Sequence, residues 1–210
     1  MDLRKLGVWT SYRIRIAILL SLIGIFGILS IYLVVNFTDN RLREEVLVST
    51  QKLSQTISSE AIETLAGNEA DLQSNNYQIL KQQLKSIQES NPNSRFVYLM
   101  RLKPDGSVVF LVDAESPESE DYSPPGETYD EASSRLKSIF TRGIAFVEGP
   151  ETDRWGTWIS PLVPIQDTED GQIVAILGMD VSADDWRWQI LSNSIIPIGL
   201  IITIMILLSS

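Results

Sequence analysis

Two uncharged, strongly apolar runs bracket a polar middle. From Ile16 to Thr38 the chain reads IAILLSLIGIFGILSIYLVVNFT, and from near Ile190 to Ser210 it reads ILSNSIIPIGLIITIMILLSS. About 20 apolar residues at a helical rise of ~1.5 Å cross the hydrocarbon core of a bilayer. Both runs are therefore expected to be transmembrane helices, over 16–38 and 190–210. A cleaved secretory signal would have a shorter apolar region and a small-residue cleavage site, and Asn36-Phe37-Thr38-Asp39 offers none. A buried core helix is the alternative for the second run, but that run is too long and lacks a polar face. Pro197 removes a backbone donor inside it, which predicts a kink. Asn193 and the neighbouring serines are expected to re-satisfy part of the freed backbone.

Between the runs the period of the pattern changes. Leu42, Val46, Leu53, Ile57 and Ala61 or Leu65 recur at helical spacing. With no proline or glycine before Gly67, the first membrane helix is predicted to continue outward to about that point. Its stripe can pack on its own domain or on a second copy. A second amphipathic helix is predicted over 76–90, with Tyr77, Leu80, Leu84 and Ile87 on one face, ended by Asn91-Pro92-Asn93. The runs 95–102 and 107–115 read as a β-hairpin around Lys103-Pro104-Asp105-Gly106. In its first strand Phe96, Tyr98, Met100 and Leu102 share one face, opposite Val97, Leu99 and Arg101. A polar, proline-rich loop follows over 116–127. Thr128-Tyr129-Asp130-Glu131 reads as a capping box opening a helix that Gly143 closes. Strands are predicted over 145–148, 155–165 and 172–181, and Ser182-Ala183-Asp184-Asp185 caps the helix that enters the membrane. The fold class is thus α+β, with a central five-stranded antiparallel sheet and a long N-terminal helix, flanked by two transmembrane helices.

Charge orients this plan. Arg4, Lys5, Arg13 and Arg15 precede the first run, whereas the middle is acidic, within a net charge of −10 for the chain. The positive-inside rule places residues 1–15 in the cytoplasm, 39–189 outside it, and the C-terminus back inside. Trp9 and Tyr12 fall at the inner interface; Tyr32, Phe37, Trp186 and Trp188 fall at the outer one. The acidic balance argues against nucleic-acid binding. With no cysteine and no histidine, disulfides, thiolate or imidazole metal sites, a Ser-His-Asp triad and a phospho-accepting histidine are excluded within these residues. No nucleophile motif, phosphate loop or metal spacing is present, so no enzyme activity, cofactor or metal is expected. An Asp113–Asp180 acid/base pair is the weaker alternative.

Polar groups interrupt the apolar strands in two places. Asp113 ends a VVFLV run, and Asp180 interrupts AILGMDV, with Gly178 on the same face leaving a gap in which a ligand can approach the backbone. A buried carboxylate needs a partner; a ligand amine, a cation, Arg101 and Arg154 are the choices. A cap or turn contact is the plainer role for either aspartate. Trp155 and Trp158 differ by an odd number and so are assigned to opposite sheet faces, one to a pocket and one to the core. Tyr98 supplies a hydroxyl to the same pocket, and Ser160 lies on the strand of Trp158.

The segments YLMRLKPDGSVVFLVD (98–113), DYSPPGETYDEA (121–132), EGPETDRWGTWISPLVPI (148–165) and GQIVAILGMDVSADDW (171–186), in this order between two membrane helices, resemble the extracytoplasmic PAS-like sensor domains called PDC or Cache. Such domains occur in membrane histidine kinases, diguanylate cyclases and chemoreceptors. The chain has room for one such module, and it lacks the arginine-tryptophan-tyrosine pattern of amino-acid-sensing members. The resemblance implies a ligand on the sheet face away from the long helix, capped by the loop around Tyr122 and Pro124-Pro125 with Tyr129. The candidate ligand-binding set is therefore Tyr98, Asp113, Tyr122, Tyr129, Arg154, Trp158, Ser160 and Asp180. The implied function is ligand sensing in a dimeric receptor, foremost a sensor histidine kinase, with an output module beyond Ser210. A diguanylate cyclase, a chemoreceptor or a membrane-anchored interaction module without ligand are the alternatives. The expected partners are a small molecule of unspecified class, the bilayer and a second copy of the chain.

Overall fold

The structure, a computed structural model, describes residues 3–209, with side chains described over 14–207. Arg4, Lys5, Trp9, Tyr12 and Arg13, which carried part of the topology argument, have side chains outside that range. The chain divides into two compact units, one made of the residues before Arg43 and after Arg187, the other of Arg43–Arg187.

The first unit consists of the membrane-length parts of helix α1 (Leu3–Ser54) and helix α5 (Ala183–Ser209). Both are long and apolar enough to span a bilayer, and only 6% of each apolar window is buried. A core helix of a soluble protein would bury most of that surface. Within the unit, Met205 fills the space beside Gly27, where even a Cβ would overlap its sulfur. Ser194 Oγ donates to Thr38 Oγ1 at 3.2 Å, and Thr38 in turn donates to the Val34 carbonyl at 2.8 Å. Pro197 lies inside an uninterrupted α5. The side chains of Ser192 and Asn193 bond the Gln189 carbonyl, one turn before the carbonyl that Pro197 leaves free.

The second unit is a five-stranded antiparallel sheet in the order β2-β1-β5-β4-β3. Its strands are β1 (Phe96–Leu102), β2 (Val108–Asp113), β3 (Phe146–Thr152), β4 (Thr157–Gln166) and β5 (Ile173–Ser182). One face packs under the end of α1, the short α2 (Ser59–Glu63) and α3 (Asn75–Ser90), burying Ile62, Leu65, Tyr77, Leu80, Leu84, Val97, Leu99, Leu111 and Leu177 together. The four α3 residues chosen by period are the buried ones. The other face carries Phe96, Tyr98, Met100, Phe110 and Ile176 under α4 (Ser134–Arg142) and its flanking loop.

Two helix boundaries differ from expectation. Helix α1 stops at Ser54, and Ser58 caps the separate α2 by accepting from Ala61 N at 3.1 Å. The periodic stripe continued through this break because both helices lie on one core, so hydrophobic spacing alone did not register the turn. Helix α4 is capped by Ser133, which accepts from Leu136 N at 2.9 Å, not by Thr128. The backbone around Thr128 is already engaged, extending the sheet beyond β2: Phe110 N donates to Glu127 O at 2.9 Å and Tyr129 N to Val108 O at 2.8 Å. Gly143 closes α4 in the left-handed conformation, φ +66°, where an L side chain is strained.

Candidate functional site

Strict alternation along β2 would turn Asp113 away from Phe110. A bulge decides otherwise. Leu99 pairs with Val112 but Met100 pairs with Phe110, so Leu111 is the extra residue. Leu111 and Val112 both enter the helix-covered core, and Asp113, opposite Tyr98, shares the other face with Phe110. On β5 plain alternation suffices: Ile176, Gly178 and Asp180 face the same way, and Met179 faces α1, where its sulfur meets Thr50 Oγ1 at 3.6 Å.

These residues close around a cavity of about 20 Å³ whose wall includes Phe96, Tyr98, Phe110, Tyr129 and Trp155 together with Asp113, Asp121, Asp153 and Asp180. The rings are interlocked. Phe110 meets Tyr98 at 5.5 Å, Tyr129 at 5.9 Å and Trp155 at 5.9 Å, all edge-on, and Tyr129 stacks on Trp155 at 6.3 Å. Such quadrupolar contacts fix ring orientation.

Each carboxylate is held differently. Asp180 accepts from Tyr98 Oη at 2.9 Å, and the neighbouring Ser160 hydroxyl also favours its ionised form. Burial pushes its carboxyl up to about 7; the two hydroxyls oppose this, and Asp153 and Asp113 add to it. Neither arginine considered as its partner reaches it. Arg101 donates to the carbonyls of Leu65, Ile62 and Val174, and Arg154 pairs with Glu127. Asp153 gathers the turn before β4, accepting from Trp155 N at 2.9 Å, Gly156 N at 3.1 Å and Trp158 Nε1 at 2.9 Å on one oxygen, and from Tyr129 Oη at 3.2 Å on the other. Asp113 accepts from Glu115 N at 3.0 Å and Ser123 N at 2.8 Å; burial raises its carboxyl to about 6 against those two bonds. Asp121 is tied to Arg95 at 2.5 Å.

Of the candidate set, Tyr98, Asp113, Tyr129 and Asp180 therefore line the cavity. Ser160 stands behind Asp180, and Trp158 stands behind Asp153 while packing edge-on against Phe96 at 5.1 Å. Tyr122 turns toward α3 and meets Tyr77 Oη at 2.9 Å. Arg154 covers Trp155 from outside, 4.2 Å from its ring. Trp155 and Trp158 were assigned to opposite faces, but both join the same aromatic cluster. Trp155 precedes β4 and Gly156 intervenes at φ +156°, so strand alternation does not connect them. Gly178 does make room, yet the Tyr98 ring fills it: an added Cβ would lie 2.7 Å from Tyr98 Oη and closer still to the ring carbons. Gly178→Ala is therefore expected to dislodge Tyr98 from Asp180 and to cost roughly 1–3 kcal/mol by overpacking, read as a lower thermal midpoint with altered tyrosine fluorescence. Asp153 was missed. Its signal was present, a short acceptor two residues before Trp155-Gly156, the position of an Asx turn onto Trp155 N.

No protein-family model matches the chain, and no curated protein sequence matches it. Solved structures do resemble it. The ligand-binding domain of the Campylobacter jejuni chemoreceptor Tlp3, solved with L-valine, is 19% identical, with a TM-score of 0.45 over 81% of this chain and 65% of that one. The chain thus spans a little under two thirds of that domain. The Escherichia coli DcuS sensor domain is 16% identical, with a TM-score of 0.47 over 73% of this chain and 98% of that one. An extracellular ligand binding receptor from Desulfohalobium retbaense is 12% identical, with a TM-score of 0.48 over 77% of this chain and 26% of that one.

Proposed function

We propose that this chain is the sensing portion of a membrane receptor, in which residues 39–189 stand outside the cytoplasm between spans 16–38 and 190–210, and that its cavity binds a small organic cation. One observation carries the choice of ligand: the wall combines aromatic faces with the carboxylates of Asp113, Asp121, Asp153 and Asp180 and includes no basic side chain. Asp180 is held by hydroxyls alone, so a protonated amine would supply the opposite charge that burial demands. A carboxylate ligand would meet like charge.

The route out of the cavity runs along β5. Asp180 faces the cavity, Met179 contacts Thr50 of α1, and α5 begins at Ala183. Drawing Asp180 toward a ligand shifts the strand between the two helices that continue toward the membrane. Packed interfaces have discrete arrangements, so such a shift is transmissible, provided the ligand binds one arrangement better than the other. A dimer paired through the outer part of α1 is the receiving state. The output we favour is a histidine kinase, with a diguanylate cyclase or chemoreceptor as alternatives; the resemblance of the segments between 98 and 186 supports that class.

Calorimetry on the full chain in nanodiscs tests the ligand, using primary amines from methylammonium upward and neutral alcohols of matching size. Saturable binding of an amine but not of its alcohol is expected. Equal binding of both, or of neither, overturns it. Because a cation binds the ionised carboxylates, affinity is expected to rise with pH and to level off above about 7, where Asp180 is already deprotonated. Protease added to intact cells tests topology, with cleavage of the middle segment expected. The small cavity favours one second reading, a membrane-anchored interaction module without ligand, since about 20 Å³ accommodates little more than a water. Failure of every amine in calorimetry, with an intact fold, would point there.

A further inference from the structure

The segment from Ala114 to Ser123 reaches the cavity wall near its C-terminal end and is fastened at both ends to one side chain. Asp121 and Ser123 line the cavity from this segment. Asp113 holds Glu115 N with one carboxylate oxygen and Ser123 N with the other. Both bonds need acceptors. A carboxylate offers two; a protonated carboxyl turns one of its oxygens into a donor, which then faces an N–H donor. Other contacts fasten the same segment. Lys81 of α3 donates to the carbonyls of Asp113 and Glu115 at 2.8 and 2.6 Å. Arg95 bridges Glu115 and Asp121 at 2.6 and 2.5 Å. Tyr77 meets Tyr122, whose ring lies under Lys81.

We propose that residues 114–123 are a lid over the cavity and that Asp113 is its proton-operated latch, closed as the carboxylate and released when protonated. The groups facing the latch set its operating range. Lys81, from α3, favours the carboxylate, whereas burial and Glu115, from the lid itself, oppose it. Asp180 of β5 is coupled to Asp113 with the same sign; Tyr77, Tyr98 and Tyr122 stay neutral, burial raising each. Burial prevails, raising the latch to about 6, so mild acid opens the lid and exposes the cavity. This device concerns the same cavity as the proposed cation but not the identity of its occupant.

Hydrogen exchange on the full chain in nanodiscs, with no amine added, tests it. After correction for intrinsic rates, the Glu115 and Ser123 amides are expected to be protected at pH 8 and to exchange at least about tenfold faster at pH 5. The Asp113→Asn variant, which offers one acceptor at any pH, is expected to show fast, pH-independent exchange at Ser123. Equal protection of the wild-type amides at both pH values overturns the latch. So does a variant lid that still responds to pH, which would place the proton on another group. The wild-type comparison decides whether the lid moves even where the variant does not fold. Amine calorimetry is independent of both outcomes, so loss of the cation reading and loss of the lid are distinguishable.

Discussion

Asp180→Asn will stabilise the domain above neutral pH while abolishing amine binding. Asparagine keeps the shape of the side chain. Its oxygen still accepts from Tyr98, and its nitrogen can donate to the neighbouring Ser160 hydroxyl. What disappears is a fully buried charge. In the wild-type domain Asp180 titrates at about 7, against an ordinary value of 3.8. Between those two values the folded state holds a proton that the unfolded chain has released. Wild-type stability therefore falls as pH rises through that window and is lowest above it. A shift of that size corresponds to roughly 4 kcal/mol at most, so the variant should gain up to a few kcal/mol at pH 8 and nothing near pH 4. Denaturant titrations at the two pH values measure this. A less stable variant at pH 8 would mean that Asp180 is paired with a cation in the folded protein. A residual slope should persist in the variant, because Asp113 is also raised, to about 6.

Arg101→Met is expected to have the opposite effect on stability and no effect at the cavity. The guanidinium lies on the helix-covered face of the sheet, where it donates to Leu65 O at 2.7 Å, Ile62 O at 2.9 Å and Val174 O at 3.1 Å. It thereby supplies a donor to the Leu65 carbonyl just beyond α2, shares the Ile62 carbonyl with Leu65 N, and joins both to β5. Methionine retains the aliphatic bulk and supplies no donor. Removing the donor from the part-buried Leu65 and Val174 carbonyls, at ~1–3 kcal/mol each with some rescue by water, while Ile62 O keeps its bond from Leu65 N, gives a loss of roughly 3 kcal/mol. For a domain of this size that lowers the thermal midpoint by on the order of 10 °C. Scanning calorimetry checks it. An unchanged midpoint would show that water replaces the arginine fully, and a change in amine affinity would show that α2 and the cavity are coupled through β5.

Much of this molecule is legible in its sequence. Uncharged apolar length identified the two membrane-length helices, and period identified the α3 face of Tyr77, Leu80, Leu84 and Ile87 and the division of β1 between Tyr98 and Leu99. Each of these signals is local: a helix or strand repeats its burial every few residues, and solvent selects the repeat directly. Asp180 was legible for the same reason, a charge on the buried face of an otherwise apolar strand. What tertiary structure alone decided are the places where backbone geometry departs from its period. The bulge at Leu111 turns Asp113 to the cavity, though alternation alone would send it to the helices. Recruitment of Glu127 and Tyr129 to the edge of β2 moves the start of α4 from Thr128 to Ser133. In each case a hydrogen bond made across the chain outweighs a local preference worth about 1 kcal/mol or less. Local pattern thus placed the apolar elements, while long-range pairing decided which polar groups meet between them.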